Sequence, residues 1–153
     1  MLPWTGNEPR PPALTSVSNS SLPSLASVSS FSRVELPKLL RIAEHPDEIP
    51  WQPFRPGVEI HRLYGDGLDG PSAALLRFAA GGVVPLHEHT GYEHILVLAG
   101  SQYDANSTAT AGTLMINPPG TQHRIVSETG CIVLAIYERP VRFLESDPDV
   151  NSC

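Results

Sequence analysis

Four residues in the second half of the chain have side chains and spacings that are typical of a divalent metal site, namely His87, His89, Glu93 and His123. Residues two apart on a β-strand point to the same face, so the imidazoles of His87 and His89 are expected to lie side by side. Three nitrogen donors and one carboxylate, with no thiolate, suit iron(II), manganese, nickel, copper or zinc. We therefore predict one divalent metal ion held by these four side chains.

Turns rich in glycine and proline separate the segments that carry these residues. Thr90-Gly91 reverses the chain after the two histidines, so Glu93 begins the next strand and can face the same interior. Pro118-Pro119-Gly120 forms a second turn, and His123 opens the strand that follows it. The four side chains are therefore expected to converge on one side of a sheet.

The chain from residue 34 onward consists largely of short strands. Apolar and β-branched runs predict strands at residues 58–64, 72–78, 83–89, 92–98, 113–117, 123–127 and 132–137. Breaks that contain glycine lie between these runs, and residues 99–100 are one of them. Residues 36–42 are compatible with an edge strand or with one helical turn. Many short strands with turns between them predict an all-β sandwich or barrel.

The composition changes near residue 33. Residues 1–33 are rich in serine and proline and show no sustained period of 2 or 3.6, so they bury too little surface to offset the entropy of ordering them. We expect a flexible N-terminal segment over residues 1–33, a single β-barrel domain over residues 34–145, and a flexible tail over residues 146–153.

Charge and hydropathy exclude several classes of partner. The net charge is −6 and the ten basic residues are scattered, so neither nucleic acid nor a membrane surface is expected to bind. No apolar run approaches the roughly 18 residues that a membrane-spanning helix needs. The N-terminal residues lack a basic stretch followed by an apolar core, so we do not expect a secretory signal. We expect a cytoplasmic protein. Its cysteines, Cys131 and Cys153, are too few for a disulfide framework, and Cys131 is predicted to be a buried small apolar residue.

Two predicted strands are apolar at every position, over residues 95–98 and 132–136. A strand with one face in water alternates between apolar and polar residues, so these two strands must be covered on both faces. The second cover is either the N-terminal segment or another subunit, and we favour a homodimer.

The spacings around the four candidate ligands resemble the two sequence motifs of the cupin family. The matching positions are Gly81-x5-His87-x-His89-x3-Glu93-x6-Gly100 for the first motif and Gly112-x5-Pro118-x-Gly120-x2-His123 for the second. The second motif usually ends in asparagine, where this chain has Ser127, but that position holds no metal ligand. The resemblance spans roughly residues 56 to 140 and implies a double-stranded β-helix, also called a jelly-roll barrel, around one metal ion.

The residues from Gly91 to Ser101 look like the ChrR-type branch of the cupins. In that branch the cupin is fused to, or derived from, an anti-sigma factor that responds to singlet oxygen or peroxides. Those proteins carry a helical, zinc-binding domain that inhibits the sigma factor ahead of the cupin, whereas here a Ser/Pro-rich segment stands in that place. We therefore do not expect a sigma factor as a partner.

The resemblance implies two functions of different classes. The first is a metal-dependent enzyme, of the dioxygenase or lyase/isomerase type, that acts on a small molecule in the barrel. The alternative is a non-catalytic sensing or regulatory module related to ChrR-type anti-sigma factors. The metal separates the two, because four ligands satisfy zinc, whereas iron, manganese or nickel prefers six and leaves two positions open. The complete ligand set disfavours a third reading, a metal-free epimerase-like cupin.

Other polar residues on the predicted strands are expected to lie outside the site. Glu88 and His94 alternate with the candidate ligands and should face away from the metal. His61 is predicted to be a half-buried strand histidine. Arg62 and Arg77 could clamp a substrate carboxylate, but we favour outward side chains that pair with acidic residues.

Overall fold

The computed structural model describes residues 33–144, in which two short 3-10 helices precede ten strands. The helices span Leu39–Glu44 and Pro46–Glu48. Residues 36–42, which were compatible with an edge strand or a helical turn, therefore contain a helical turn. None of the helices within residues 33–144 is long or apolar enough to cross a membrane. The flexible segment predicted for residues 1–33 and the tail predicted for residues 146–153 lie, apart from Arg33, outside the described residues and stay predictions.

The strands are β1 (Gln52–Arg55), β2 (Val58–Tyr64), β3 (Ser72–Phe78), β4 (Gly82–Glu88), β5 (Glu93–Tyr103), β6 (Thr108–Thr110), β7 (Leu114–Asn117), β8 (Gln122–Ser127), β9 (Cys131–Tyr137) and β10 (Arg142–Phe143). All of their pairings are antiparallel, in the order β1-β2-β3-β9-β5-β8-β4-β10, and β6 and β7 also pair with β5. The sheet curls into the predicted all-β jelly-roll barrel.

The break predicted at residues 99–100 is wrong, because β5 continues through it to Tyr103. The register with β9 shifts between Val97 and Ala99, and Gly100 has a φ of 69°. A Cβ at Gly100 would lie only 2.1 Å from the carbonyl oxygen of Gly130. Glycine therefore lets the strand bend at a close backbone approach without ending, and beyond the bend β5 pairs with β6 and β8.

Two apolar clusters lie on the two faces of the sheet. The inner cluster fills the barrel with side chains such as Val58, Val97 and Val133. The outer cluster joins strand residues such as Leu75 to Ile42 and its neighbours in the segment ahead of β1. The outer face of the two fully apolar strands is therefore covered in part by residues 36–51 of the same chain.

Candidate metal centre

The four predicted ligands come together at one end of the barrel. His87 is on β4, His89 follows that strand directly, Glu93 begins β5, and His123 is on β8. One potential ligand atom from each residue lies within 4.8 Å of the others. All four residues are buried, with at most 8% of their surface exposed. The centroids of the three imidazole rings are 4.7–5.2 Å apart. The pairing of β4 with β8 brings two of them together, since His87 is the register partner of His123. Their rings meet edge to face, with 71° between the ring planes.

The hydrogen bonds on the outer side of the cluster determine which imidazole nitrogens face inward. His87 donates its Nδ1 hydrogen to the carbonyl oxygen of Pro85 at 2.8 Å. The hydroxyl of Thr121 donates its hydrogen to the Pro118 carbonyl at 2.7 Å. Its oxygen also lies 2.8 Å from Nδ1 of His89 and, with its hydrogen already used, can only accept a hydrogen bond from that nitrogen. Both histidines therefore carry the hydrogen on Nδ1, which leaves the lone pair of Nε2 directed into the cluster.

Acidic and amide side chains support the other two ligands. Asp104 places Oδ2 3.4 Å from Nδ1 of His123, which orients the Nε2 of His123 inward in the same way. The side-chain amide of Asn117 donates to Oε2 of Glu93 at 2.8 Å. Asp104, Asn117 and Thr121 were not predicted from the sequence, because each comes from a turn or strand that only the folded barrel brings next to a ligand.

One pair of atoms tests whether the cluster suits a cation. Nε2 of His89 lies 3.0 Å from Oε2 of Glu93. Nε2 is buried and has no hydrogen-bond partner among residues 33–144. With its hydrogen on Nδ1, this nitrogen presents a lone pair to a carboxylate oxygen, which is unfavourable unless a cation lies beside both atoms. The donor set and the orientation of its lone pairs therefore fit a divalent metal ion.

Burial determines the protonation behaviour of the cluster. Burial lowers the pKa of His87 and of His123 below the ordinary histidine value of 6.5, although the charge of Glu93 opposes the shift. Burial alone would raise the pKa of Glu93, but the neighbouring histidine side chains and the amide of Asn117 stabilise its carboxylate and leave that pKa lowered. Neutral imidazoles at His87 and His123 and an ionised carboxylate at Glu93, the states that metal binding requires, are therefore favoured at neutral pH.

The cluster opens onto a cavity of about 460 Å³ inside the barrel. His87, Glu93 and His123 line this cavity together with aliphatic side chains and the aromatic ring of Tyr137. Tyr137 is the register partner of Glu93, and burial raises the pKa of its hydroxyl above the ordinary value. The ring of Phe143, on β10, also lines the cavity, 5.6 Å from the ring of His87.

Most of the remaining polar residues lie where the sequence predicted. His61 and His94 are partly buried and do not line the cavity, and Glu88 pairs with Arg142 on β10. Arg77 pairs with Glu59 and Asp47, as expected of an outward side chain.

The outward orientation predicted for Arg62 is wrong, because its side chain lines the cavity. The expected acidic neighbour is present, since the pKa of Asp66 is lowered by backbone hydrogen bonds and, less strongly, by the positive charge of the exposed Arg62. Arg55, which was not predicted as a site residue, lines it too. Alternation relates Arg62 to Ile60, which also lines the cavity, but it does not say which face of β2 is the inner one. Arg55 lies on β1, which was not predicted as a strand. Cys131 is confirmed as a buried residue of the inner apolar cluster.

Residues 40–141 match a family model described as the ChrR cupin-like domain. The anti-sigma-E factor ChrR of Cereibacter sphaeroides is 34% identical over 99 residues, which are 63% of this chain and 46% of ChrR. The chain thus spans about half the length of the curated relative that it matches.

Solved structures agree with the family match. Rhodobacter sphaeroides ChrR, in a complex with SigE, is similar with a TM-score of 0.53 and 32% identity, over 60% of this chain and 49% of that one. From the sequence we did not expect a sigma factor as a partner. This expectation is not supported, because the similar ChrR chain is in a complex with SigE. An acetylacetone dioxygenase from Acinetobacter johnsonii has a TM-score of 0.60 over 87% of this chain and 89% of its own. At 14% identity this likeness shows the fold alone.

Proposed function

The chain belongs to the family of ChrR cupin-like domains. We propose that it binds one divalent metal ion through His87, His89, Glu93 and His123. We further propose that it acts as a metal-dependent enzyme on a small molecule. The chemistry that we assign is of the dioxygenase or lyase/isomerase type. A cupin fold hosts many activities, so this assignment is argued from the site and not from the fold.

The observation that carries the proposal is the cavity beside the ligand cluster. A metal that only stabilises a fold is usually enclosed by four protein ligands and needs no space next to it. Here three of the four proposed ligands line a cavity of about 460 Å³. A cavity of that size falls within the range of small-molecule sites, which are concave and mostly apolar with a few polar groups.

Each of the chain's own groups has a role in this proposal. The bound ion supplies a Lewis acid that polarises an oxygen atom of the ligand. Thr121 and Asp104 hold two imidazoles with Nε2 directed toward the ion. The aliphatic walls exclude water from the reacting atoms. Because burial raises the pKa of Tyr137, its hydroxyl keeps its proton and can donate a hydrogen bond to a ligand oxygen.

The proposal is tested by the metal content of the full chain, expressed without a histidine tag and purified without added metal. We expect about one equivalent of iron, manganese or nickel, retained in His61→Ala and lost in His123→Ala. His61 is a matched control because it is a strand histidine outside the cavity. Protein without metal would overturn the proposal. Stoichiometric zinc would contradict the enzymatic function and favour the alternative below.

The second candidate is a non-catalytic sensing or regulatory module, and the family match favours it. A relative that is 34% identical is an anti-sigma-E factor, and a similar ChrR structure is in complex with SigE. The candidate predicts that the chain binds a sigma factor of the SigE type. Purified Rhodobacter sphaeroides SigE should then coelute with this chain in size-exclusion chromatography, with ChrR as the positive control. Separate elution would count against this partner.

We also propose a homodimer that forms through the outer face of β5, β7 and β9. On that face His94 has Ile116 and Ile136 as cross-strand neighbours, and both isoleucines are exposed. Two copies of a chain with net charge −6 repel one another least across an uncharged surface such as this one. Light scattering should give a dimer mass for the wild type and for Leu40→Glu, an exposed control, and a monomer mass for Ile116→Glu. A monomeric wild type would contradict this proposal. The cytoplasmic location stays a prediction from the sequence.

A further inference from the structure

The walls of the cavity differ in character between its depth and its mouth. The deep walls are aliphatic or aromatic and include Ile60, Leu76, Val84, Ile95 and Ile125. Such walls offer no hydrogen bonds, so they favour an apolar body in the ligand. The polar groups are the metal cluster, the uncharged side chains of Ser72, Gln102 and Tyr137, and a small set of charged side chains on β1, on β2 and in the loop after β2.

Two arginines line the same cavity as the metal cluster. The guanidinium carbon of Arg55 lies 3.8 Å from the ring centroid of Phe143, and that ring lies 5.6 Å from the ring of His87. Arg55 is therefore separated from a metal ligand by one aromatic ring. Arg62 lines the cavity from the end of β2.

Tyr137 and Glu93 line the same cavity as the two arginines. Tyr137 is the register partner of Glu93, which places it beside the metal cluster. The metal cluster, the tyrosine and the two guanidinium groups therefore border one space.

The charges of the lining have a definite sign once the metal is bound. The acidic residues of the lining are Glu93 and Asp66, and the basic ones are Arg55 and Arg62, so these four groups balance. A divalent ion then leaves the cavity positive, inside a chain whose net charge is −6. A cavity of that sign in a negatively charged protein attracts anions and discriminates against cations.

We propose that the ligand of this cavity is a small organic anion with an apolar body and an oxygen atom that approaches the metal, and that Arg62, together with Arg55, binds its negative charge. This inference deepens the proposed function and rests on it. Carboxylates and enolates of aryl or alkyl ketones belong to this class, because they combine a delocalised negative charge, a metal-binding oxygen and a hydrocarbon body. Arginine suits such a group, since its planar donors match the two oxygens of a carboxylate.

The test compares two probes of nearly equal shape, 4-oxo-4-phenylbutanoate and its neutral amide, by calorimetry on the metal-loaded full chain. We expect the carboxylate to bind about tenfold more tightly than the amide, as a charge-assisted hydrogen bond allows. Arg62→Gln should clearly reduce this preference, although Arg55 and the metal still attract the carboxylate, and Arg62→Lys should retain more of it than Arg62→Gln. Arg142→Gln is the matched control, because Arg142 pairs with Glu88 and does not line the cavity, and it should keep the full preference.

Metal content is measured in each sample so that two failures can be told apart. Protein without metal contradicts the proposed function itself. Metal-loaded protein that binds the two probes equally, that binds neither, or that keeps its full preference in Arg62→Gln overturns the inference about the anion and leaves the metal site standing.

Discussion

Oδ2 of Asp104 lies 3.4 Å from Nδ1 of His123, on the side of the imidazole that faces away from the other proposed ligands. The other oxygen of this carboxylate accepts hydrogen bonds from the backbone N–H groups of Asn106 and Ser107 at 2.7 and 2.8 Å. The turn between β5 and β6 therefore holds Asp104 in place, and Asp104 in turn orients His123. Such a carboxylate also makes the ligand nitrogen more basic.

Asp104→Asn is expected to weaken metal binding by about 10–100-fold, the range typical of a hydrogen-bond partner behind a metal-binding histidine. The amide keeps the shape and loses the negative charge. The measurement is the dissociation constant for zinc in competition with a chromophoric chelator, so it does not depend on activity. Asp69→Asn, in an exposed loop, is the control. Equal affinities in all three proteins would contradict the role of Asp104.

Removal of the metal is expected to lower the thermal stability of the chain. A ligand that binds only the folded state stabilises it by mass action, by about 2.7 kcal/mol at a free concentration 100 times its dissociation constant. The melting temperature should therefore fall after treatment with a chelator and return when the metal is added back. Glu93→Gln should show a much smaller difference between the two states. An unchanged melting temperature, with loss of the metal verified, would count against the site.

The metal-free protein is expected to lose stability as the pH falls below about 6.5. Burial lowers the pKa of His87 and of His123 in the folded state, so the unfolded chain takes up protons first on acidification. The stabilisation is complete above the unfolded-state pKa and declines as the pH drops toward the folded-state values.

Urea denaturation of the metal-free protein between pH 8 and pH 5 measures this effect. The double variant His87→Gln/His123→Gln should show a flatter dependence over that interval. The lowered pKa of Glu93 acts in a separate and more acidic window, below about 4.5, where a further loss of stability is expected. A double variant with the same slope as the wild type would contradict this attribution.

The thiol of Cys131 is expected to be unreactive in the folded protein. Burial raises its pKa to about 11, and the thiolate is the reactive form. Alkylation by iodoacetamide at pH 8, in a Cys153→Ser background, should be more than about 100-fold slower in the folded state than in urea. Rapid alkylation of the native protein would show that this strand opens or that the thiol is accessible.

Gly100→Ala is expected to destabilise the barrel by at least about 2 kcal/mol, since a side chain at positive φ is strained and the new Cβ would clash with the Gly130 carbonyl. Urea denaturation gives the difference. Gly112→Ala is the comparison, because Gly112 also has a positive φ but its Cβ would meet nothing within 4 Å. Equal losses in the two variants would show that the close approach to Gly130 is unimportant.

The local pattern of the sequence was sufficient for most of the strands and for the proposed ligands. β2 and β3 have the predicted bounds, since their residue types and the turns beside them act over a few neighbouring residues. His87, His89, Glu93 and His123 could be singled out because strand alternation and the family motifs relate such positions to one face. The extension of β5 through Gly100 could not be predicted, because glycine marks a turn and a bend within a strand equally well.

Tertiary structure alone decided what surrounds those ligands. Asp104, Asn117 and Thr121 reach the ligands from three separate turns or strands, and no short-range pattern encodes such contacts. Arg55 and Arg62 reach the cavity because the sheet curls until β1 and β2 border the space in front of β4 and β8. The four proposed ligands could be identified from the sequence, because strand alternation and motif spacing are local properties of the chain. The orientation of each imidazole and the charge of the cavity depend on pairings between distant strands, which exist only once the barrel closes.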